Sequence, residues 1–187
     1  RRKDIAYIIV YSYDRFSRSG TSGASIKEDL KKKGIEVISA TQEIDTTTPA
    51  GMMQQDVFFV FSKYDNDIRK DKCLTGMREK LRNGYIHGVT PFGYTNLNPG
   101  RSKEQQLVIN EEGELLRKAF HMKAKYNLSN AEIARRLKPY GWNRSYKKFT
   151  LYFKNPFYCG IITSSLIPGE IIEGKHPPLI SKEMFFK

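Results

Sequence analysis

The chain has 187 residues, 39% hydrophobic and 28% charged, an ordinary globular composition with room for one or two cored domains. Thirty-two Lys and Arg stand against twenty Asp and Glu, and the resulting +12, with a sequence pI near 9.6, makes a polyanion the first partner to consider. No apolar run reaches the roughly 20 residues that span a bilayer, and no secretory signal pattern is present, so a cytoplasmic protein with no membrane partner is expected. Cys73 and Cys159 form no C-x-x-C pair, and His87, His121 and His176 are scattered. Neither a disulfide framework nor a metal site nor a cofactor is indicated.

The first apolar run, Ile5 to Val10, predicts a strand that leads straight into Tyr11-Ser12-Tyr13-Asp14-Arg15-Phe16-Ser17-Arg18. A parallel strand buried on both faces is apolar along its length and carries its polar functional groups just past its C-terminal end. Arg15 and Arg18 stand three residues apart there. If the turn is helical, both guanidinium forks can face one point and grip phosphate oxygens. A solvated helix start capped by Asp14 fits the same local pattern.

Ser19 to Gly23 reads as flexible, Ala24 to Lys33 as a helix closed by Gly34, and Ile35 to Ala40 as a second strand, giving a strand–helix–strand unit with parallel pairing. The chain opens on Arg1 and reaches a strand within a few residues, so residues 1–48 read as the C-terminal part of an α/β domain. Thr48 can cap the next helix and Pro49 suits its first position. With an end at Asn83-Gly84 this helix runs over 49–83, on the order of 50 Å, longer than a small domain can cover. Met53, Val57, Phe61, Tyr64 and Ile68 form an apolar stripe, widened by Phe58 and Phe59, that is expected to pack, partly against a second subunit. Beyond Ile68 come Arg69, Lys70, Lys72, Arg78, Lys80 and Arg82 against Asp71 and Glu79, a face expected to lie on phosphates. A long solvated helix with salt-bridged charges is the alternative.

Residues 84–94 read as a linker, Tyr94 to Ser102 as an exposed turn region and Gln106 to Ile109 as a short strand, with a second domain over 95–187. Asn110 caps a helix that breaks at Asn127-Leu128-Ser129. Ser129 and Glu132 form a capping box for a short helix that stops before Pro139. Ser145 then caps a helix over Tyr146 to Lys154 that presents Arg144, Lys147, Lys148 and Lys154 beside four aromatics. Helix, short turn and basic helix is the helix-turn-helix layout for double-stranded DNA, although core packing explains most amphipathic helix pairs. Tyr158 to Ser164 and Gly169 to Gly174 resemble two strands of a wing around Leu166-Ile167-Pro168.

Asp14-Arg15-Phe16-Ser17-Arg18, the stretch Ile44 to Gly51 and Pro91-Phe92-Gly93-Tyr94 occur in that order, followed by Asn155-Pro156-Phe157-Tyr158-Cys159-Gly160. In these segments the chain resembles the serine recombinases of the resolvase/invertase superfamily, and the last resembles the second domain of the large members, the serine integrases and transposon recombinases. The resemblance implies a partial resolvase-like α/β catalytic domain, a long connecting helix, and a mainly helical, winged-helix-like DNA-binding domain. It also implies metal-free cleavage and rejoining of DNA through a phosphoserine linkage, with a homodimer formed through the 49–83 helix and a tetramer during strand exchange. Without a metal, arginines must stabilise charge on the transferring phosphoryl oxygens, and Arg15 and Arg18 take that role, with Asp14 orienting them or moving a proton.

In the family the nucleophilic serine lies in a Tyr-x-Arg-x-Ser segment on the first strand, and no such segment occurs here. Ser12, Ser17 and Ser19 match non-nucleophilic positions, so the chain is expected to be an N-terminally truncated piece that binds DNA without cleaving it. Two departures stand on the long helix. Where the family tends to show Glu-Arg pairs this chain has Asp65-Asn66 and Asp71-Lys72, and Lys72 keeps charge but not the bidentate fork. The family's following zinc ribbon is not found either, consistent with a truncation just past Lys187. A non-catalytic helix-turn-helix regulator is the rival function, but it leaves the arginine turn unexplained. A phosphoesterase ranks below both, since the clustered carboxylates or histidines of a metal-dependent one are not found.

Overall fold

The computed structural model describes residues 5–17, 20–100 and 105–187. It is a mixed α/β chain in two compact units, Arg1–Cys73 and Leu74–Lys187. The boundary falls inside a single long helix, so each unit takes part of it.

In the first unit, β1 (Tyr7–Val10) pairs in parallel with β2 (Glu36–Ser39), Ile8 opposite Val37 and Val10 opposite Ser39. The one-turn helix α1 (Tyr13–Phe16) follows β1, and α2 (Gly20–Lys31) crosses back to β2. The crossover helix begins at Gly20, not Ala24. Its low-propensity start is offset by packing: Gly23 is buried, and a Cβ there would sit 3.2 Å from the Phe59 ring, a spacing only glycine makes comfortable. Gly34 closes the unit at φ +73, the left-handed conformation in which glycine is preferred.

The core of this unit is Tyr13, Val37 and Phe59, with Ile8, Val10, Phe16, Leu30, Ile44 and Phe58 packed around it. β1 is not covered on both faces. Tyr7 is 57% and Ile9 72% exposed, because among the described residues only the side bearing Ile8 and Val10 meets this core.

The helix α3 (Pro49–Arg82) begins as expected, with Thr48 Oγ1 accepting the Gly51 N–H at 3.1 Å and Gly84 following its end at φ +80. Gly51, Gln55 and Phe59 turn inward with Phe58 packed beside them, so the two phenylalanines expected to widen the stripe pack in the core, whereas Met53, Val57, Phe61 and Tyr64, with Val60, are exposed in the single chain. The inward face begins where a Cβ on Gly51 would lie 1.8 Å from the Asp45 carbonyl, and continues through Gln55, whose Nε2 donates to the Val37 carbonyl at 2.9 Å.

The second unit opens on the last turns of α3. Residues 84–94, read as a linker, are packed within it: Ile86 is buried, and Gln105 bonds both its N–H and its carbonyl. A strand missed in the sequence, β3 (Tyr94–Asn96), pairs antiparallel with β4 (Leu107–Ile109). Tyr94 is buried in the core, where an exposed turn was expected. Then come α4 (Glu111–Tyr126), capped by Asn110 and ended by Asn127 at φ 46, and α5 (Asn130–Leu137), capped by Ser129.

The expected continuous helix over 146–154 is instead a 3-10 turn, Tyr146–Lys148, and a five-residue α6 (Phe149–Phe153). Phe149 anchors it, fully buried and stacked on Trp142 at 4.4 Å. The hairpin that follows, β5 (Ile161–Ile162) with β6 (Ile172–Glu173), is two residues per strand, and α7 (Lys182–Phe185) closes the chain. Leu116, Ala119, Phe120, Ile133, Leu137, Phe157, Tyr158 and Ile167 lie in one apolar core. Among the described residues no helix is long and apolar enough to cross a membrane.

Candidate nucleic-acid interface

At the end of β1 the chain turns up into α1, and that turn carries Asp14 and Arg15. Their side chains are 45% and 75% exposed, with Arg15 Nε 3.6 Å from the Asp14 carboxylate, while the Ser12 hydroxyl donates to Asp14 Oδ1. Such an exposed pair contributes little to stability, so the guanidinium is available to an anionic ligand at small cost. Arg18, the other half of the expected clamp, lies outside the described residues.

The turn itself is held from below. Tyr13 points into the core, 5.5 Å edge-on to Phe59, and its N–H donates to Gln42 Oε1 at 3.0 Å. The Tyr11 carbonyl accepts from Thr41 N at 3.1 Å, Thr41 Oγ1 at 2.7 Å and Ser39 Oγ at 3.1 Å. These polar residues after β2 read in the sequence only as the end of a strand. Nothing local in Ser39-Ala40-Thr41-Gln42 announces that it anchors a turn some thirty residues earlier.

The start of α3 is fixed next to this. Asp45 accepts the Thr47 N–H at 3.0 Å and its hydroxyl at 2.6 Å, and these bonds hold its carboxyl below the usual carboxylate value. Further along the helix Arg69, Lys70 and Lys72 are exposed on a solvated stretch.

Arg78 and Arg82 are placed otherwise. Arg78 Nε donates to the Leu166 carbonyl at 3.2 Å, and Arg82 grips Glu170 bidentately, its strongest contact being Nη2 to Oε1 at 2.6 Å. The bond from Glu170 raises the Arg82 pKa and holds the Glu170 carboxyl low. Both arginines, expected on phosphates, fasten the β5–β6 hairpin to the end of α3.

Lys147 and Lys148 lie exposed in the 3-10 turn before α6, and Lys154 lies exposed just after it. Arg144 has other work. Its guanidinium lies 4.3 Å over the Phe92 ring and 3.7 Å from Glu112, and its carbonyl accepts the Trp142 indole N–H at 2.8 Å. The capping box at Ser129 is half formed. Ser129 Oγ accepts the Glu132 N–H, but the Glu132 carboxylate turns to Arg135 and Arg136, and these hold its pKa down.

Beneath this surface the tyrosines are structural. Tyr94 donates to the Pro177 carbonyl at 2.8 Å and Tyr158 to the Phe92 carbonyl at 3.0 Å, and burial pushes both phenols above their ordinary value. His176 is buried face to face with Phe157 at 3.6 Å. Among the described residues no three His, Cys, Asp or Glu side chains converge as metal ligands do.

Two segments of the chain match known protein families. Residues 1–86 match the family described as Resolvase, N terminal domain, and residues 110–187 match the family described as Recombinase. A probable DNA-invertase, y4cG, of Sinorhizobium fredii is 29% identical over 89 residues, covering 46% of this chain and 29% of the relative. The serine recombinase gin of Escherichia phage Mu is 26% identical over 84 residues, 45% of this chain and 44% of its own. The chain thus spans less than half the length of these relatives. A solved crystal structure of an LSR–DNA complex superposes with a TM-score of 0.50 at 25% identity, covering 62% of this chain and 36% of that one.

Proposed function

We propose, for a chain that belongs to the serine recombinases, the role of a site-specific DNA recombinase that cleaves and rejoins double-stranded DNA through a phosphoserine linkage. The observation that carries this reading is the Asp14–Arg15 turn, raised on a buried tyrosine at the end of a parallel strand with its guanidinium three-quarters exposed. In that role Arg15, with Arg18, neutralises charge on the phosphoryl oxygens as the serine attacks, and Asp14 orients Arg15. No serine among the described residues is assigned the nucleophile's role: the hydroxyl of Ser12 is bonded to Asp14 and that of Ser39 to the Tyr11 carbonyl.

DNA contact is assigned to Arg69, Lys70 and Lys72 on α3 and to Lys147, Lys148 and Lys154 around α6. Each of the six is exposed, where a phosphate can reach it. Arg78 and Arg82, bonded to the β5–β6 hairpin, and Arg144, lying over the Phe92 ring, are assigned to structure. The exposed apolar face of α3, from Met53 to Tyr64, is assigned to a homodimer, with a tetramer during strand exchange. Met53, Val60, Phe61 and Tyr64 are each at least 60% exposed, more contiguous apolar surface than a lone helix leaves in water.

The test is a duplex site selected by the protein from a random library, placed twice in a supercoiled plasmid. The 187-residue chain alone is expected to bind the site and form no covalent adduct. A protein that carries the family's nucleophilic serine together with these residues is expected to give recombinant product and an adduct at that serine, both lost in Arg15→Ala while affinity for the site is kept. An adduct mapped to Ser12 or Ser17, or recombination that survives Arg15→Ala, would overturn the assignment. Phe61→Lys should shift a dimer toward monomer in light scattering, and an unshifted mass would remove α3 from the interface.

A further inference from the structure

The one-turn helix that carries Asp14 and Arg15 lacks the cap its own sequence offers. Ser12 occupies the N-cap position in extended conformation, φ −148 and ψ 158, yet its side chain makes no capping bond; its hydroxyl donates to the Asp14 carboxylate. The N–H of Tyr13 is satisfied across the fold by Gln42 Oε1, 29 residues later. Since the partner is a backbone N–H, only the amide's oxygen can face it, so the orientation of the Gln42 side chain is set.

Gln42 is held in turn. Ser39, 4% exposed, donates its hydroxyl to the Tyr11 carbonyl and accepts the N–H groups of Thr41 at 3.3 Å and Gln42 at 3.2 Å. One buried hydroxyl therefore ties the backbone at Tyr11 to the backbone at Gln42. The Gln42 side chain carries the same tie two residues further along, to Tyr13. Below Tyr13 the chain is fixed by the aromatic core, and above it Asp14 and Arg15 reach solvent, paired with each other and with the Ser12 hydroxyl. The bond at Tyr13 N is the last fixed point before the charged pair.

We propose that Gln42 is a positioning residue for the arginine turn, capping α1 from outside so that Asp14 and Arg15 leave the strand end in one direction. The proposal rests on the recombinase reading for its consequence, though not for its geometry. A turn of four residues has too few bonds of its own to stay formed, and each orphan N–H left unpaired frays it further. Without Gln42 the Arg15 guanidinium samples a wider volume, and a group that must meet charge in the transition state loses rate rather than ground-state binding.

The experiment compares Gln42→Met, which keeps length and shape without an acceptor, with Gln42→Glu, which keeps an acceptor oxygen, both in the full-length recombinase. Amide exchange at Tyr13 is read by NMR, and single-turnover cleavage and DNA affinity are read on the selected site. In Gln42→Met, exchange at Tyr13 should rise about tenfold and cleavage should slow by about the same factor, the scale of one lost hydrogen bond. Affinity should stay unchanged, the melting temperature should fall by no more than the few degrees that one such bond accounts for, and Gln42→Glu should recover both exchange and rate. Unchanged exchange in Gln42→Met overturns the inference, as does slowing that only tracks lost affinity or stability, or slowing that Gln42→Glu shares in full. If the unsubstituted protein neither binds nor cleaves any selected DNA, the recombinase reading fails instead, and exchange at Tyr13 still decides whether Gln42 holds the turn.

Discussion

The guanidinium of Arg82 closes on the carboxylate of Glu170, Nη2 to Oε1 at 2.6 Å and Nε to Oε2 at 2.9 Å, 88 residues apart in the chain. One turn earlier, Arg78 bonds the Leu166 carbonyl at the tip of the same hairpin. Two cations that composition offers to DNA are thereby spent on holding β5–β6 against the end of α3. The expected consequence lies in salt dependence. Lys72→Ala should lower the slope of log affinity against log salt by about 0.9, the contribution of one phosphate contact, while Arg82→Ala leaves the slope as it was. Equal losses of slope in the two variants would return Arg82 to the DNA-facing set.

Gly93 and Gly113 bring β3 and α4 together. A Cβ on Gly113 would stand 2.2 Å from the Gly93 carbonyl oxygen and 2.7 Å from Ile109 Cγ2, while Gly93 itself holds φ +88 and accepts the Asn110 N–H. Gly113→Ala should destabilise the second unit by about 1–3 kcal/mol in urea unfolding, with an unchanged m-value. Gly76, in mid-helix with nothing within 4 Å of a built Cβ, gives the opposite expectation. There Gly76→Ala should stabilise by roughly 0.5–1 kcal/mol, from helix propensity alone.

Tyr13 separates the role of a ring from that of its hydroxyl. The ring is buried against Phe58 and Phe59, but the phenol oxygen has no partner among the described residues. Tyr13→Phe should leave stability unchanged or raise it by up to about 1 kcal/mol, since it removes a desolvated polar group. Tyr13→Ala should cost about 3 kcal/mol or more. A Tyr13→Phe variant as damaged as Tyr13→Ala in thermal unfolding would show that the hydroxyl does bond.

His176 makes the second unit sensitive to acid. Burial against Phe157 and Tyr94 lowers its pKa from the ordinary 6.5, with the bond to the Phe157 carbonyl opposing that shift only in part. The unfolded chain then takes up the proton at higher pH than the folded one. Stability should be fully present above about pH 6.5 and fall as pH drops from there toward the folded-state pKa. Urea midpoints between pH 8 and 5 check this, and His176→Phe should flatten that part of the profile. An unaltered profile in the variant would assign the acid loss to other groups.

What the sequence by itself determined is whatever depends on neighbours along the chain. Thr48, Asn110 and Ser129 cap the helices they precede, and Gly34 and Gly84 end theirs at positive φ. Side-chain caps and turns act over three or four residues, so their chemistry is complete in a short window. The order of motifs likewise sufficed for the family. Tertiary structure alone decided which groups were left over for function. On α3 it turned Phe59 into the core and Gln55 to the Val37 carbonyl, set Gly51 against Asp45, and left Met53, Val57, Phe61 and Tyr64 exposed. It sent Arg82 to Glu170 and left Lys72 in solvent, and it brought Gln42 to the N–H of Tyr13. A charge or an amide takes the partner that folding brings within about 3 Å, and a linear chain carries no local record of a partner 29 or 88 residues away.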